Sequence, residues 1–136
     1  MHEFFDHTAD LGLRIQAADL NALFAEAGSA LFAALVENLD TVAPVQRFDL
    51  TVSGSDRDYL LFDWLKELLY RFEVGHLLFC RFEVHVDANG LQGSAWGELY
   101  DRQRHELAHE VKAITYHGLR VEETPDGWLA EVIVDI

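Results

Sequence analysis

Phe82-Glu83-Val84-His85-Val86-Asp87-Ala88-Asn89-Gly90-Leu91-Gln92-Gly93-Ser94-Ala95-Trp96 is the stretch that decides how this chain folds. Apolar and polar residues alternate from Phe82 to Val86, so Phe82, Val84 and Val86 share one face of a strand. Two strand-like runs, from Leu77 to Leu99, flank Asp87-Ala88-Asn89-Gly90. Asn-Gly between alternating hydrophobics is the strongest short-range signal of a hairpin. A hairpin joins antiparallel neighbours, and the sheet is therefore antiparallel or mixed.

Working outward, Ser55-Asp56-Arg57-Asp58 has the spacing of a capping box, and Leu61, Trp64, Leu65, Leu68 and Phe72 behind it form one helical stripe that Gly75 stops. Phe48, Leu50 and Val52 make a half-buried strand before that helix. Further upstream, Asp19 caps a helix whose apolar stripe is Leu20, Leu23, Phe24, Ala27, Leu31, Ala34 and Leu35, with Asn38 and Pro44 marking its end. Leu11, Leu13 and Ile15 alternate as a strand ahead of it. Downstream come a polar stretch over residues 101–110, an extended segment over 111–123, a Pro125-Asp126-Gly127 turn and a closing strand with Trp128, Ala130, Val132 and Val134 on one face. Strands and helices in this order, without regular βαβ repetition, predict an α+β fold: a mixed or antiparallel β-sheet with two main helices packed on one face, in a single domain over residues 1–136.

Composition bounds the function. The 136 residues carry 24 acidic and 10 basic side chains, a formal charge of −14, while half are hydrophobic. That is enough apolar material for a core, so the acid lies on a folded surface. Such a surface repels phosphate backbones and anionic lipids, which argues against a self-sufficient nucleic-acid binder and against a membrane partner. Lys66 and Lys112 are the two lysines. One cysteine, Cys80, forms no internal disulfide, and beside Leu78, Phe79 and Phe82 it reads as a buried strand thiol. Without a signal-peptide pattern or an apolar run near ~20 residues, a cytoplasmic location is expected.

Four stretches carry candidate chemistry. His7-Thr8-Ala9-Asp10 makes either a plain turn or a hard carboxylate, Asp10, at a strand end. Asp135 and Ile136 put a side-chain carboxylate next to an α-carboxylate; with Asp10 alongside, the oxygens would suit Ca²⁺ or Mg²⁺. Lys112, in Glu110-Val111-Lys112-Ala113-Ile114-Thr115-Tyr116-His117, either meets a phosphate or a partner's acid, or makes a surface salt bridge of little worth. His105-Glu106-Leu107-Ala108-His109 matches the H-E-x-x-H zinc motif, but Gln103, Arg104 and Glu110 around it deny a helix there an apolar back face.

Three of these stretches, in this order, are Asp6-His7-Thr8-Ala9-Asp10, Glu110 to His117, and Asp135-Ile136. Together with Leu60-Leu61, Trp64-Leu65, Leu68-Leu69-Tyr70 and Gly97-Glu98, they give a sequence that resembles the archease family over essentially its whole length. His105 also resembles a family position, whereas His109 does not belong to the pattern. The resemblance implies an accessory protein rather than an enzyme. Its partner would be an RtcB-type RNA ligase, which joins 3′-phosphate and 5′-hydroxyl RNA ends in tRNA splicing and RNA repair. It further implies promotion of ligase guanylylation and multiple turnover, with contact to RNA only through the ligase. By the same resemblance Asp10, Asp135 and Ile136 are metal ligands for a divalent ion, Ca²⁺ first with Mg²⁺ or Mn²⁺ as alternatives, and Asp10 and Lys112 are ligase-activating. A zinc-dependent hydrolase through His105, Glu106 and His109, or a general chaperone-like binding module, are the other readings.

Overall fold

The structure is a computed structural model that describes residues 1–7 and 10–136, apart from the side chain of His7. The turn read at Thr8-Ala9 lies outside the described residues. In chain order the elements are β1 (His2–His7), β2 (Asp10–Ala17), α1 (Leu20–Leu35), β3 (Gln46–Ser53), α2 (Arg57–Gly75), β4 (Leu77–Asp87), β5 (Gly90–Leu99), β6 (Ala113–Ile114), β7 (Arg120–Thr124) and β8 (Gly127–Asp135). A 3-10 turn at Leu39–Thr41 follows α1.

The Asn-Gly hairpin forms as its sequence requires. Asp87 pairs with Gly90, and the Asp87 carboxylate accepts hydrogen bonds from the amides of Asn89 (2.8 Å) and Gly90 (3.1 Å). Gly90 has φ 151°, a conformation side chains disfavour. Along β4, Phe82, Val84 and Val86 pack toward the core, while Arg81, Glu83 and His85 are exposed. A bulge between Phe79 and Arg81 keeps Phe79 and Phe82 both inward. Cys80 sits in that bulge half-buried rather than buried, its thiol 3.6 Å from the Trp96 carbonyl oxygen and its pKa pushed up by burial.

The class is the one expected, α+β with antiparallel strands and two helices, but the strands divide between two sheets. In one, β5 lies between β3 and β4; in the other the order is β1-β2-β8-β6, with β7 also pairing β8. Both flanks of β5 and both flanks of β8 are taken, so neither central strand has an edge to offer the other sheet. β1 shows no clean alternation in sequence and forms because β2 presents an open edge, pairing from His2↔Ile15 to His7↔Asp10.

Two helix boundaries move from their expected places. The N-cap of α2 is Asp56, whose side chain accepts from the Asp58 and Tyr59 amides, because the helix starts at Arg57; the Ser55 box does not form. Asp58 instead accepts from the Val121 amide at 2.7 Å, tying α2 to β7. Gly75 stays helical, and His76 takes the left-handed position (φ 54°), its carbonyl bonded by the Tyr100 amide at 2.7 Å beyond β5.

One apolar core joins both helices and both sheets. Trp64, Phe24, Phe32 and Phe79 are among its fully buried side chains. The Trp64 indole donates to the Phe24 carbonyl oxygen at 3.0 Å, linking α2 to α1. From the larger sheet Leu11, Leu13, Ile15, Ala130, Val132 and Val134 point inward, which leaves the intervening residues of β2 and β8 on the outer face.

Candidate functional site

That alternation places Asp10 and Asp135. They are direct partners in the antiparallel β2–β8 pair, at the end of the sheet, and both fall on its outer face. Direct cross-strand partners have Cβ atoms about 4.5–5.5 Å apart, and two carboxylates so placed repel unless a cation or donor lies between them. Ile136 follows at once, half-buried against the core. Among the described residues no three His, Cys, Asp or Glu side chains converge to hold an ion. Among the described residues, the sheet end offers two carboxylates and main-chain oxygen, hard ligands of the kind that Ca²⁺ and Mg²⁺ take.

Farther along the same face the charges are matched. The Arg14 guanidinium donates to Glu131 (2.8 Å) and Glu3 (2.9 Å) and lies 4.6 Å over the Phe5 ring; Arg120 reaches Glu131 from β7 at 2.8 Å. Burial alone would raise the Glu131 pKa, but the bonds from Arg120 and Arg14 outweigh it and hold the carboxyl low.

Lys112 arrives at the same end of the sheet by a different route. Its amide donates to the Asp135 carbonyl oxygen at 2.7 Å, and the next residue, Ala113, is the cross-strand partner of Asp135. Ala113 therefore shares the outer face with Asp135, while Lys112 precedes the two-residue β6 and is exposed, next to the buried Val111. Lys112 lines a groove of about 440 Å³ with Phe72 and Glu73 of α2. The main chain joins Lys112 to the Asp10–Asp135 pair.

The segment that leads to Lys112 is held by a clasp on Glu98, at the end of β5. The Glu98 carboxylate accepts from both terminal nitrogens of Arg104 (2.9 and 2.8 Å), from the Ala43 amide (2.8 Å) and from His105 Nε2 (2.9 Å). The Arg104 bonds chiefly bring its pKa to about 2 against the cost of burial, helped by the Ala43 amide and His105. The Asp101 amide points at His105 Nδ1 from 2.9 Å, which needs a lone pair there and so puts the ring hydrogen on Nε2. Beyond the clasp, the Ala108 and His109 amides donate to the Leu35 and Ala34 carbonyls that end α1.

This arrangement overturns the zinc reading. Residues 105–109 are not helical, so nothing brings His105 and His109 onto one face. Both ring nitrogens of His105 are engaged within the protein, and His109 is exposed. No spacing in the sequence announces the Glu98–Arg104–His105 clasp, which closes between separated segments.

Fold and site together define a small α+β protein that gathers its acidic pair and a lysine-bearing segment at one end of an antiparallel sheet. Residues 2–136 match the Archease protein family (MTH1598/TM1083). The chain is similar to protein archease of Pyrococcus furiosus, 38% identical over 98% of this chain and 97% of that one. It resembles a solution structure of a Methanobacterium thermoautotrophicum protein, with 32% identity, TM-score 0.86, and coverage of 99% of this chain and 98% of the other. A Thermotoga maritima structure described as an archease and possible chaperone shares the fold at TM-score 0.66 and 19% identity, covering 100% and 98%. The chain belongs to the archease family.

Proposed function

We propose that this protein is an accessory factor of an RtcB-type RNA ligase, promoting guanylylation of the ligase and its repeated turnover in the joining of 3′-phosphate and 5′-hydroxyl RNA ends. The observation that carries the reading is the Asp10↔Asp135 pair at the sheet end, joined through the Asp135 carbonyl to the Lys112 amide. Asp10, Asp135 and a main-chain oxygen of Ile136 would hold a divalent ion, Ca²⁺ first, supplying part of the roughly six to eight oxygens that Ca²⁺ takes. Bound there, the ion would neutralise charge on a nucleotide's phosphates.

The chain's own residues do the rest. The main chains of Asp10 and Asp135 are fixed by the β2–β8 ladder, so only their side chains need ordering on docking. Lys112 is exposed next to the strand that pairs with Asp135, so a ligase mouth that covers the acidic pair can reach it too. Its ammonium is placed to meet a phosphate oxygen, since positioning and charge neutralisation dominate nucleotidyl transfer. RNA is reached through the ligase, in keeping with a chain of charge −14.

The test is ligase–GMP formation with limiting ligase. Asp10→Ala and Lys112→Ala should lose stimulation by about tenfold or more, the worth of one charge-assisted hydrogen bond, with unchanged melting. Lys66→Ala is the control, its ammonium lying 5.9 Å over the Phe62 ring on α2. Wild-type stimulation by Asp10→Ala would falsify the proposal. A general chaperone would instead raise soluble ligase without changing nucleotidyl transfer per ligase molecule.

A further inference from the structure

The structure assigns a second role to the groove beside Lys112: we infer that it seats an apolar side chain of the ligase that is flanked by Lys or Arg. The inference deepens the function proposed above and rests on it.

The groove runs between the last turn of α2 and residues 107–112, with Phe72, Leu107, Ala108 and Val111 as its apolar walls. At about 440 Å³ it is large enough for one or two side chains. Leu107 is 45% exposed. That exposure is built in, because the strand-like bridge from Leu107 to Val36 and the bonds Glu37 N–H to Glu106 O (2.7 Å) and Ala108 N–H to Leu35 O (2.8 Å) hold it on both sides. A rigid, concave apolar surface is the form in which an anchoring side chain is received.

Charge selects the occupant. Glu73 and Glu110 stand at the groove in a protein of charge −14, so cations beside the anchor are attracted and acids are repelled. A second copy of this chain would bring the same excess of acid to the same rim. Lys112 lies on the groove wall, so an anchor seated here holds the ligase within reach of that ammonium.

The experiment follows guanylylation of an RtcB-type ligase against the concentration of the full chain. Leu107→Asp should raise the half-saturating concentration by about tenfold or more and leave the plateau rate unchanged, while Leu107→Met restores it. Glu73→Lys, at an exposed helical position, should also raise it and flatten its dependence on salt. Lys112→Ala should lower the plateau. Circular dichroism and melting curves check that each variant folds, and Glu73→Lys carries the test if Leu107→Asp does not. Wild-type half-saturation for both Leu107→Asp and Glu73→Lys, beside normal wild-type stimulation, overturns this inference alone. No stimulation by the wild type overturns the proposed function and the inference with it. A homodimer lost in Leu107→Asp by sedimentation velocity, with half-saturation unchanged, would make the groove a self-contact and also overturn it.

Discussion

His105 donates its Nε2 hydrogen to Glu98 across 2.9 Å, and the histidine side chain at this bond is fully buried. Truncation to Glu98→Ala leaves that donor and the Ala43 amide without partners and unpairs Arg104. Each unsatisfied buried group costs about 1–3 kcal/mol, so a loss of about 2–4 kcal/mol is expected. Urea unfolding measures it, and a change under 1 kcal/mol would show that the clasp contributes little.

The same carboxylate sets an acid limit. Its folded pKa is about 2, below the ordinary 4.5, chiefly through the Arg104 bonds. A depressed carboxyl stabilises the fold fully above its unfolded value, and that stabilisation drains away as pH falls from 4.5 through about 2. Melting temperature should therefore fall more steeply in the wild type than in Glu98→Gln across that window. Parallel curves would contradict the assignment.

Calcium should stabilise the wild type and not Asp10→Asn. A ligand at a hundredfold excess over its Kd adds about 2.7 kcal/mol when it binds only the folded state. Calorimetric melting with and without Ca²⁺ reads this directly. Equal shifts in both proteins would move the ion away from the sheet end.

Gly97 lets β4 and β5 approach. A Cβ there would run into the Leu78 carbonyl oxygen and the Phe79 Cα, both main chain and unable to yield cheaply. Gly97→Ala should cost about 3 kcal/mol, at the upper end for overpacking. Since Glu98 is the next residue, the clasp should loosen too, visible as faster hydrogen exchange at the Ala43 amide.

Local features were legible in the sequence, and long-range ones were not. The 87–90 hairpin and both helices follow from short spacing, and Asp19 caps α1 where its sequence says it should. Asp10, Asp135 and Lys112 each stood out as residues. That Asp10 would lie alongside Asp135 was a condition the residues could not settle, and the place of Lys112 beside Asp135 was not legible, because it depends on β6 meeting β8, and β6 is only two residues long. The H-E-x-x-H spacing presumes a helix, which its polar surroundings already disfavoured, and residues 105–109 instead run along the end of α1, held by main-chain bonds. Glu98 stood out only through the family resemblance, and its clasp did not, since the four donors come from Ala43 and from Arg104-His105, and the Ala43 amide is 55 residues away.

β8, the last strand made, runs through the middle of its sheet, so the ribosome must deliver it before that sheet can close. Arg14 waits for Glu131, 117 residues later, and Asp10 waits longer still for Asp135. Until then the core-facing side of β2 has no neighbour across β8. A nascent or prematurely ended chain therefore lacks the Asp10–Asp135 pair on which the proposed function rests, and it exposes a sticky strand that quality control can recognise. The pair forms only when β8 closes the sheet.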